Sequence, residues 1–211
     1  MASIAIELLR RRFGGKKGIL PQGYTQLEYL ENQLGHDAYV ITNITTDNTI
    51  GFEVDGMFYD AFNTTTYGAL FGGRYSNFNR DFMVASFKTG DFDGQLRLGE
   101  SANTYNMGIY QNTRFQASLI DNTFVCGNIT TQVSKNITFP CYINVFAQGG
   151  FNSTTPITNG HGRVYSLKLY KGGVLVRDFV PCINPSNEYG LFDILNQQFY
   201  GSANSTPFTG Q

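Results

Sequence analysis

The chain has 211 residues, a formal net charge of −1 and only 15 % charged residues. A protein that grips nucleic acid over its whole surface is expected to be more basic, and no run approaches the roughly 20 apolar residues that cross a bilayer as a helix. Abundant Gly, Asn, Thr, Phe and Tyr, with no Trp, favour strands and turns over helices, and the length suits one β domain that buries a core without staples.

Residues 1–20 read as a separate basic arm. Ile4, Ile6, Leu8 and Leu9 form a short apolar patch, Arg10, Arg11 and Arg12 follow, and the stretch GGKKG carries Lys16 and Lys17. The apolar positions fit no single period cleanly, so a short helix and an extended arm both stay open. A segment this small does not fold alone in water, and these nine residues are expected to dock on a partner chain. The apolar part precedes the charges, the reverse of a secretory signal, so export by that route is not expected.

From Pro21 to Gln211 the chain reads as one globular unit. In LPQGYTQLEYLEN, Leu27 and Tyr29, with Tyr24, can seat the segment on a sheet. TIGFEVDGMFYD alternates: Phe52, Val54 and Phe58 share one face, and Glu53, Asp55, Met57 and Tyr59 take the other. YGALFGGRY and RDFMVASF follow as strands between Asn- and Gly-rich turns, and GQLRLGE sets Leu96 and Leu98 against Arg97. RFQASLIDNTFVCGN reads as a hairpin turning at Asp121-Asn122. CYINVFAQGG alternates Tyr142, Asn144 and Phe146. In RVYSLKLYKGGVLVRDFVP a Gly172-Gly173 pair suits a two-residue turn that needs positive φ. There Tyr165, Leu167 and Leu169 alternate with Val164, Ser166, Lys168 and Tyr170, giving one apolar face. Many short strands at regular spacing predict an all-β, two-sheet antiparallel sandwich.

Cys126, Cys141 and Cys182 are too few and odd in number for a disulfide framework. Free buried thiols are preferred to a single bridge, which suits assembly in a reducing cytoplasm. Asn-x-Ser/Thr triplets begin at Asn43, Asn63, Asn128, Asn136, Asn152 and Asn204. In a chain so rich in Asn and Thr they read as turn and strand residues.

LPQGYTQLEYLEN, FGGRY, YINVFAQGG and the closing GRVYSLKLYKGGVLVRDFVPCINPSNEYGLFDILNQQFYGSANSTPFTG resemble the concanavalin A-like, laminin-G-type jelly-roll domains of phages and prophages of gut Bacteroides-like bacteria. In that family the opening reads roughly LPxGYTxLEYIE and the close roughly GRxYSFKIYDNGxLVRDFxP. The likeness spans nearly all of the chain after residue 20. One departure is the segment NQLGHDAYVITNI, where the family often continues TGTQYIDTG. The resemblance implies two antiparallel sheets packed face to face, with the 162–182 hairpin in the sheet core. The LLRRR arm before LPQGY is similar to arms of virion-associated proteins.

The same jelly roll also hosts retaining glycosidases with an E-x-D-x-x-E strand motif, so chemistry has to be weighed. Such enzymes need two carboxyl groups roughly 5–5.5 Å apart across the scissile bond. Glu53 and Asp55 share a strand face, with Cα atoms about 6.6–6.8 Å apart. Met57 and Phe58 stand where the third acid belongs, a thioether donates no proton, and Asp60 is too far along the strand. The preferred reading of Glu53 and Asp55 is a solvated strand face. His36 and His161 are the two histidines. G-x-S-x-G, C-x-x-C and H-x-x-x-H spacings are absent. FGGR at 71–74 lacks the G-K-[ST] ending of a phosphate loop, and its glycines fit a strand bend. Asp91 and Asp93 could offer oxygens to calcium, but turn residues are the better reading.

Contact is therefore the expected function. Arg74, Tyr75, Asn77, Phe78, Tyr105, Asn106 and Tyr110 lie in segments dense in Tyr, Asn, Phe and Arg, residues that bind sugars or protein surfaces by stacking and directional hydrogen bonds. The expectation is a non-enzymatic phage virion protein without cofactor. It would assemble in the host cytoplasm and dock through its arm on other virion chains, with homo-oligomers open. Its jelly roll would face outward towards host or mucosal glycans. A bacterial surface carbohydrate-binding module is the alternative, and a glycoside hydrolase trails it.

Overall fold

Alternation of apolar and polar side chains is carried through into paired strands over most of the chain. The computed structural model describes residues 20–59, 68–75, 81–87, 93–99 and 103–211. Among the described residues it contains nineteen strands and no helix. The first eight are β1 (Thr25–Gln26), β2 (Leu30–Asn32), β3 (Val40–Thr45), β4 (Ile50–Phe58), β5 (Gly68–Arg74), β6 (Asp81–Phe87), β7 (Asp93–Gly99) and β8 (Asn103–Asn106). Then come β9 (Arg114–Ile120), β10 (Thr123–Cys126), β11 (Ile129–Gln132), β12 (Tyr142–Val145), β13 (Ala147–Gly150) and β14 (Ser153–Asn159). The last are β15 (Gly162–Lys171), β16 (Val174–Ile183), β17 (Tyr189–Asp193), β18 (Gln198–Tyr200) and β19 (Thr209–Gly210).

These strands form two sheets. The larger has eleven strands in the order β11-β10-β9-β4-β15-β16-β17-β18, with β1 on β16, β2 on β15 and β19 on β2. The smaller has eight, in the order β14-β13-β5-β6-β7-β8, with β12 pairing both β3 and β5. Pairing is antiparallel except between β13 and β5. The sheets pack face to face. Phe52 of the larger sheet meets Phe71 and Phe82 of the smaller edge-on, with ring centroids 5.1 and 6.1 Å apart, the geometry that ring quadrupoles favour. Phe124, Phe146, Phe179 and Phe192 are also fully buried. The fold is an all-β sandwich, as the alternation predicts.

Both predicted turns form. Gly172 and Gly173 take φ of +58° and +75° and leave Lys171 opposite Val174. Asp121 takes φ of +54°, so Ile120 faces Thr123 across a two-residue loop. FGGR forms the last four residues of β5. A Cβ on Gly72 would come within 2.4 Å of the Phe82 carbonyl oxygen, so glycine lets β6 approach.

Two strand readings are corrected. Tyr165 does not share a face with Leu167 and Leu169. The β15–β4 register slips between Val164 and Ser166, and this bulge puts Val164, Leu167 and Leu169 together in the core. Tyr165 turns outward against Tyr29. In the YINVF segment, Phe146 takes φ of +60° and joins Ile143 and Val145 in the core instead of continuing the Tyr142 face. The three cysteines are free and buried. Burial pushes the Cys126 and Cys182 thiols up to about 12.

Candidate binding site beside the outer acidic face

Strand β4 sends Phe52, Val54 and Phe58 into the core, so Glu53, Asp55 and Met57 point to the other side of the larger sheet. That side is not the solvated surface expected for the acids: Glu53 is 5 % exposed and Asp55 3 %. In register, Asp55 stands between Gln116 of β9 and Ser166 of β15, and Glu53 between Ser118 and Lys168. Long side chains from both neighbouring strands close over the pair.

Asp55 is held on both oxygens. Arg114 Nε donates to Oδ1 at 2.7 Å, Arg114 Nη2 to Oδ2 at 3.0 Å, and Gln116 Nε2 to Oδ2 at 2.9 Å. A bidentate guanidinium gives a carboxylate two charge-assisted hydrogen bonds, each stronger than a neutral one. The bond to Asp55 in turn raises the Arg114 pKa above its ordinary value. The third nitrogen, Nη1, reaches Glu28 Oε1 at 3.4 Å. The guanidinium plane lies 3.7 Å over the Tyr165 ring, and Arg163 lies 4.0 Å over Tyr29 while its Nε pairs with Glu31 Oε2 at 3.2 Å. Cations, rings and carboxylates thus satisfy one another across this face.

A cleft of about 680 Å³ opens next to Arg114. It exists because β10 is shorter than β9. Cys126, the last residue of β10, stands opposite Ala117. Gly127, at φ +55°, then turns the chain into β11. Arg114, Phe115 and Gln116 continue past that point with no strand on this edge among the described residues. The opposite wall, Met107 to Tyr110, is tied to the start of β7 by Met107 N–H donating to the Gly94 carbonyl at 2.8 Å and Gly94 N–H to that of Ile109 at 3.1 Å. The floor is apolar, with Met107, Ile109, Phe115 and Cys126 all buried. Phe115 stacks on Phe58 at 5.0 Å. At the rim Tyr110 is 66 % exposed and Asn128 is exposed.

The contact candidates among the described residues do not gather at one place. Of the described candidates, Tyr110 lines the cleft. Asn106 accepts the Gly108 N–H at 2.7 Å, shaping the wall from behind. Tyr105 is half-buried against the core and its hydroxyl accepts the Ser134 N–H at 3.1 Å. Arg74 ends β5 opposite Asp81. Tyr75 stacks on Phe139 at 4.5 Å and meets Phe151 edge-on at 5.0 Å, a packing role in a half-buried aromatic cluster. Asn77, Phe78 and Asp91 lie outside the described residues, as do Ile4, Ile6, Leu8, Leu9, Arg10, Arg11, Arg12, Lys16 and Lys17. Asp93 opens β7, and among the described residues no group of three His, Cys, Asp or Glu side chains is placed to hold a metal. His161 donates from Nε2 to the His36 carbonyl at 2.8 Å, and burial lowers its pKa.

Arg114, Gln116 and Tyr165 are the functional-face residues that sequence reasoning missed. The alternation of Arg114 and Gln116 with Phe115 and Ala117 was visible in the sequence, but the pairing of β9 with β4, about 60 positions away in the chain, was not. Comparison with family models, with curated proteins and with solved structures finds no match.

Proposed function

We propose that this chain is a non-catalytic structural protein of a phage particle. Its β-sandwich, of the concanavalin A-like jelly-roll kind, makes contacts with other virion chains and with host or mucosal glycans, without a cofactor. One observation carries the non-catalytic part of the reading. The acid best placed for glycosidic chemistry, Asp55, already accepts three hydrogen bonds, two of them from a guanidinium. A carboxylate so engaged is a poor proton donor and a poor nucleophile. Met57 and Phe58 stand where the third acid of the E-x-D-x-x-E motif belongs, and neither a thioether nor a phenyl ring donates a proton. The virion setting is supported by the likeness of LPQGYTQLEYLEN and GRVYSLKLYKGGVLVRDFVP to phage jelly-roll proteins and by the basic arm that precedes them.

The test pairs turnover with binding. Purified chain incubated with a panel of β-glucans should release no new reducing ends, whereas a glycan array or a capsid pull-down should retain it. Sustained hydrolysis that disappears in Glu53→Gln would overturn the reading.

A further inference from the structure

We infer that the cleft beside β9 is a strand-addition site, and that its occupant is the Ile4–Leu9 segment of a second copy of this chain. The inference rests on the reading of the chain as a contact protein whose arm docks on partners. It adds the docking surface and the kind of bond.

The first observation is the direction of the free backbone. Ile120 and Thr123 flank a two-residue turn, and residues in that position exchange both of their backbone hydrogen bonds. Backbone groups alternate sides along a strand, so Ser118, Gln116 and Arg114 point N–H and C=O the same way as Ile120. Ser118 meets Val125 of β10. Gln116 and Arg114 have no strand opposite them on that edge among the described residues, and their donors and acceptors open on the cleft. An exposed strand edge of this kind is a ready template for another chain. A strand laid there would extend the line of β10 and complete the ladder on β9, by the pairing used in peptide recognition at sheet edges.

The second observation is the chemistry of the walls. The floor of Met107, Ile109, Phe115 and Cys126 is apolar and takes side chains from every second residue of an added strand. The cation beside the cleft is already engaged: Arg114 places three of its five N–H groups on Asp55 and Glu28. The apolar floor and the bare strand edge together suit a backbone with alternating apolar side chains.

The arm has that pattern. Ile4, Ile6 and Leu8 fall at alternate positions, and Arg10, Arg11 and Arg12 follow directly. The exposed Glu28 carboxylate, which meets Arg114 through one oxygen, lies close enough to the cleft to face those cations. Eleven steps separate Leu9 from Leu20, a tether of up to roughly 36–40 Å when extended, enough to reach an adjoining molecule. Such a contact is head-to-tail, so it closes into a ring or grows as the rotation between copies dictates.

The test follows mass by size-exclusion chromatography with light scattering over a range of concentrations. Every core residue described lies between Tyr29 and Phe208, so deletion of residues 1–19 removes none of them. Full-length chain should self-associate. The deletion, Ile129→Glu on the cleft wall, and Tyr110→Glu on its exposed rim should each weaken association by about tenfold or more, with unchanged far-UV circular dichroism. A synthetic peptide of residues 2–12 should bind the deleted chain saturably and lose that binding in Ile129→Glu. Full-length chain that stays monomeric, or assembly indifferent to both cleft substitutions, would overturn the inference and leave the contact reading standing. Displacement of the peptide by a neutral oligosaccharide would equally overturn it, by making the cleft a sugar site. Glucan hydrolysis would instead remove the contact reading itself.

Discussion

Replacing Arg114 by Met tests whether Asp55 is held or available. The substitution keeps most of the apolar stem and removes both bonds to a carboxylate whose side chain is 4 % exposed. Taking one partner from a fully buried ion pair costs roughly 3–5 kcal/mol, because the remaining charge is left without compensation. Arg114 itself is 49 % exposed at its side chain, so water can enter where the guanidinium was and screen the loss. Gln116 still donates one hydrogen bond at 2.9 Å. These two reliefs bring the expected cost to about 2–3 kcal/mol, and loss of the stacking on Tyr165 is already within that figure. For a domain of this size, about 1 kcal/mol moves Tm by roughly 2–4 °C, which puts the expected drop near 5–10 °C. Urea denaturation of the single variant and of Asp55→Asn combined with Arg114→Met measures it, and the double variant should recover part of the loss. A single-variant cost below about 0.5 kcal/mol, within the range of ordinary surface changes, would refute the reasoning. Asp55 would then not depend on Arg114, and the case against proton transfer at this face would fail with it.

Two further predictions follow from titration and from burial. His161 is buried and its pKa is depressed below its ordinary 6.5. The fold therefore favours the neutral ring, and that stability is present above the ordinary value and is lost as pH falls through and below it. His161→Gln, which keeps a donor for the His36 carbonyl, should flatten the fall in urea midpoint between about pH 7 and pH 5; an unchanged slope would show that the ring does not carry it. Burial holds Cys126 and Cys182 near 12, so native chain at about pH 8 should react only slowly with a thiol-specific disulfide reagent, because the thiolate is the reacting form. All three thiols should titrate in urea, and fast native labelling would contradict their placement.

Local signals in this sequence are those set by neighbouring residues. The Gly172-Gly173 and Asp121-Asn122 turns were legible because positive φ is a local demand that few residues meet. The core face of β4 was legible from Phe52, Val54 and Phe58 alone. Tyr165 and Phe146 were misplaced because period-2 reasoning assumes an unbroken strand. A bulge at Val164–Ser166 and a positive φ at Phe146 each reset the face, and neither has a residue type that announces it. The burial of Glu53 and Asp55 was illegible for a different reason. Their neighbours come from β9 and β15, and no pattern within TIGFEVDGMFYD specifies which strands flank it.

The cleft shows how far such tertiary facts can carry consequences. Strand β9 is seven residues long and β10 four, a difference the Gly127-Asn128 turn sets. Had β10 run three residues further, Arg114 and Gln116 would be interior to the sheet, their backbone groups paired, and Phe115 would cover nothing but its own side of the sandwich. The early turn leaves an edge walled by Met107–Tyr110 and floored by apolar side chains. Open edges invite indiscriminate pairing, and an apolar wall and floor beside such an edge favour a segment with the right alternation. Specificity at this edge would then come from the walls, and affinity from backbone hydrogen bonds and apolar burial. Association through it should consequently be insensitive to salt apart from the share contributed by Arg10–Arg12, because exposed charge pairs are the part that added ions screen.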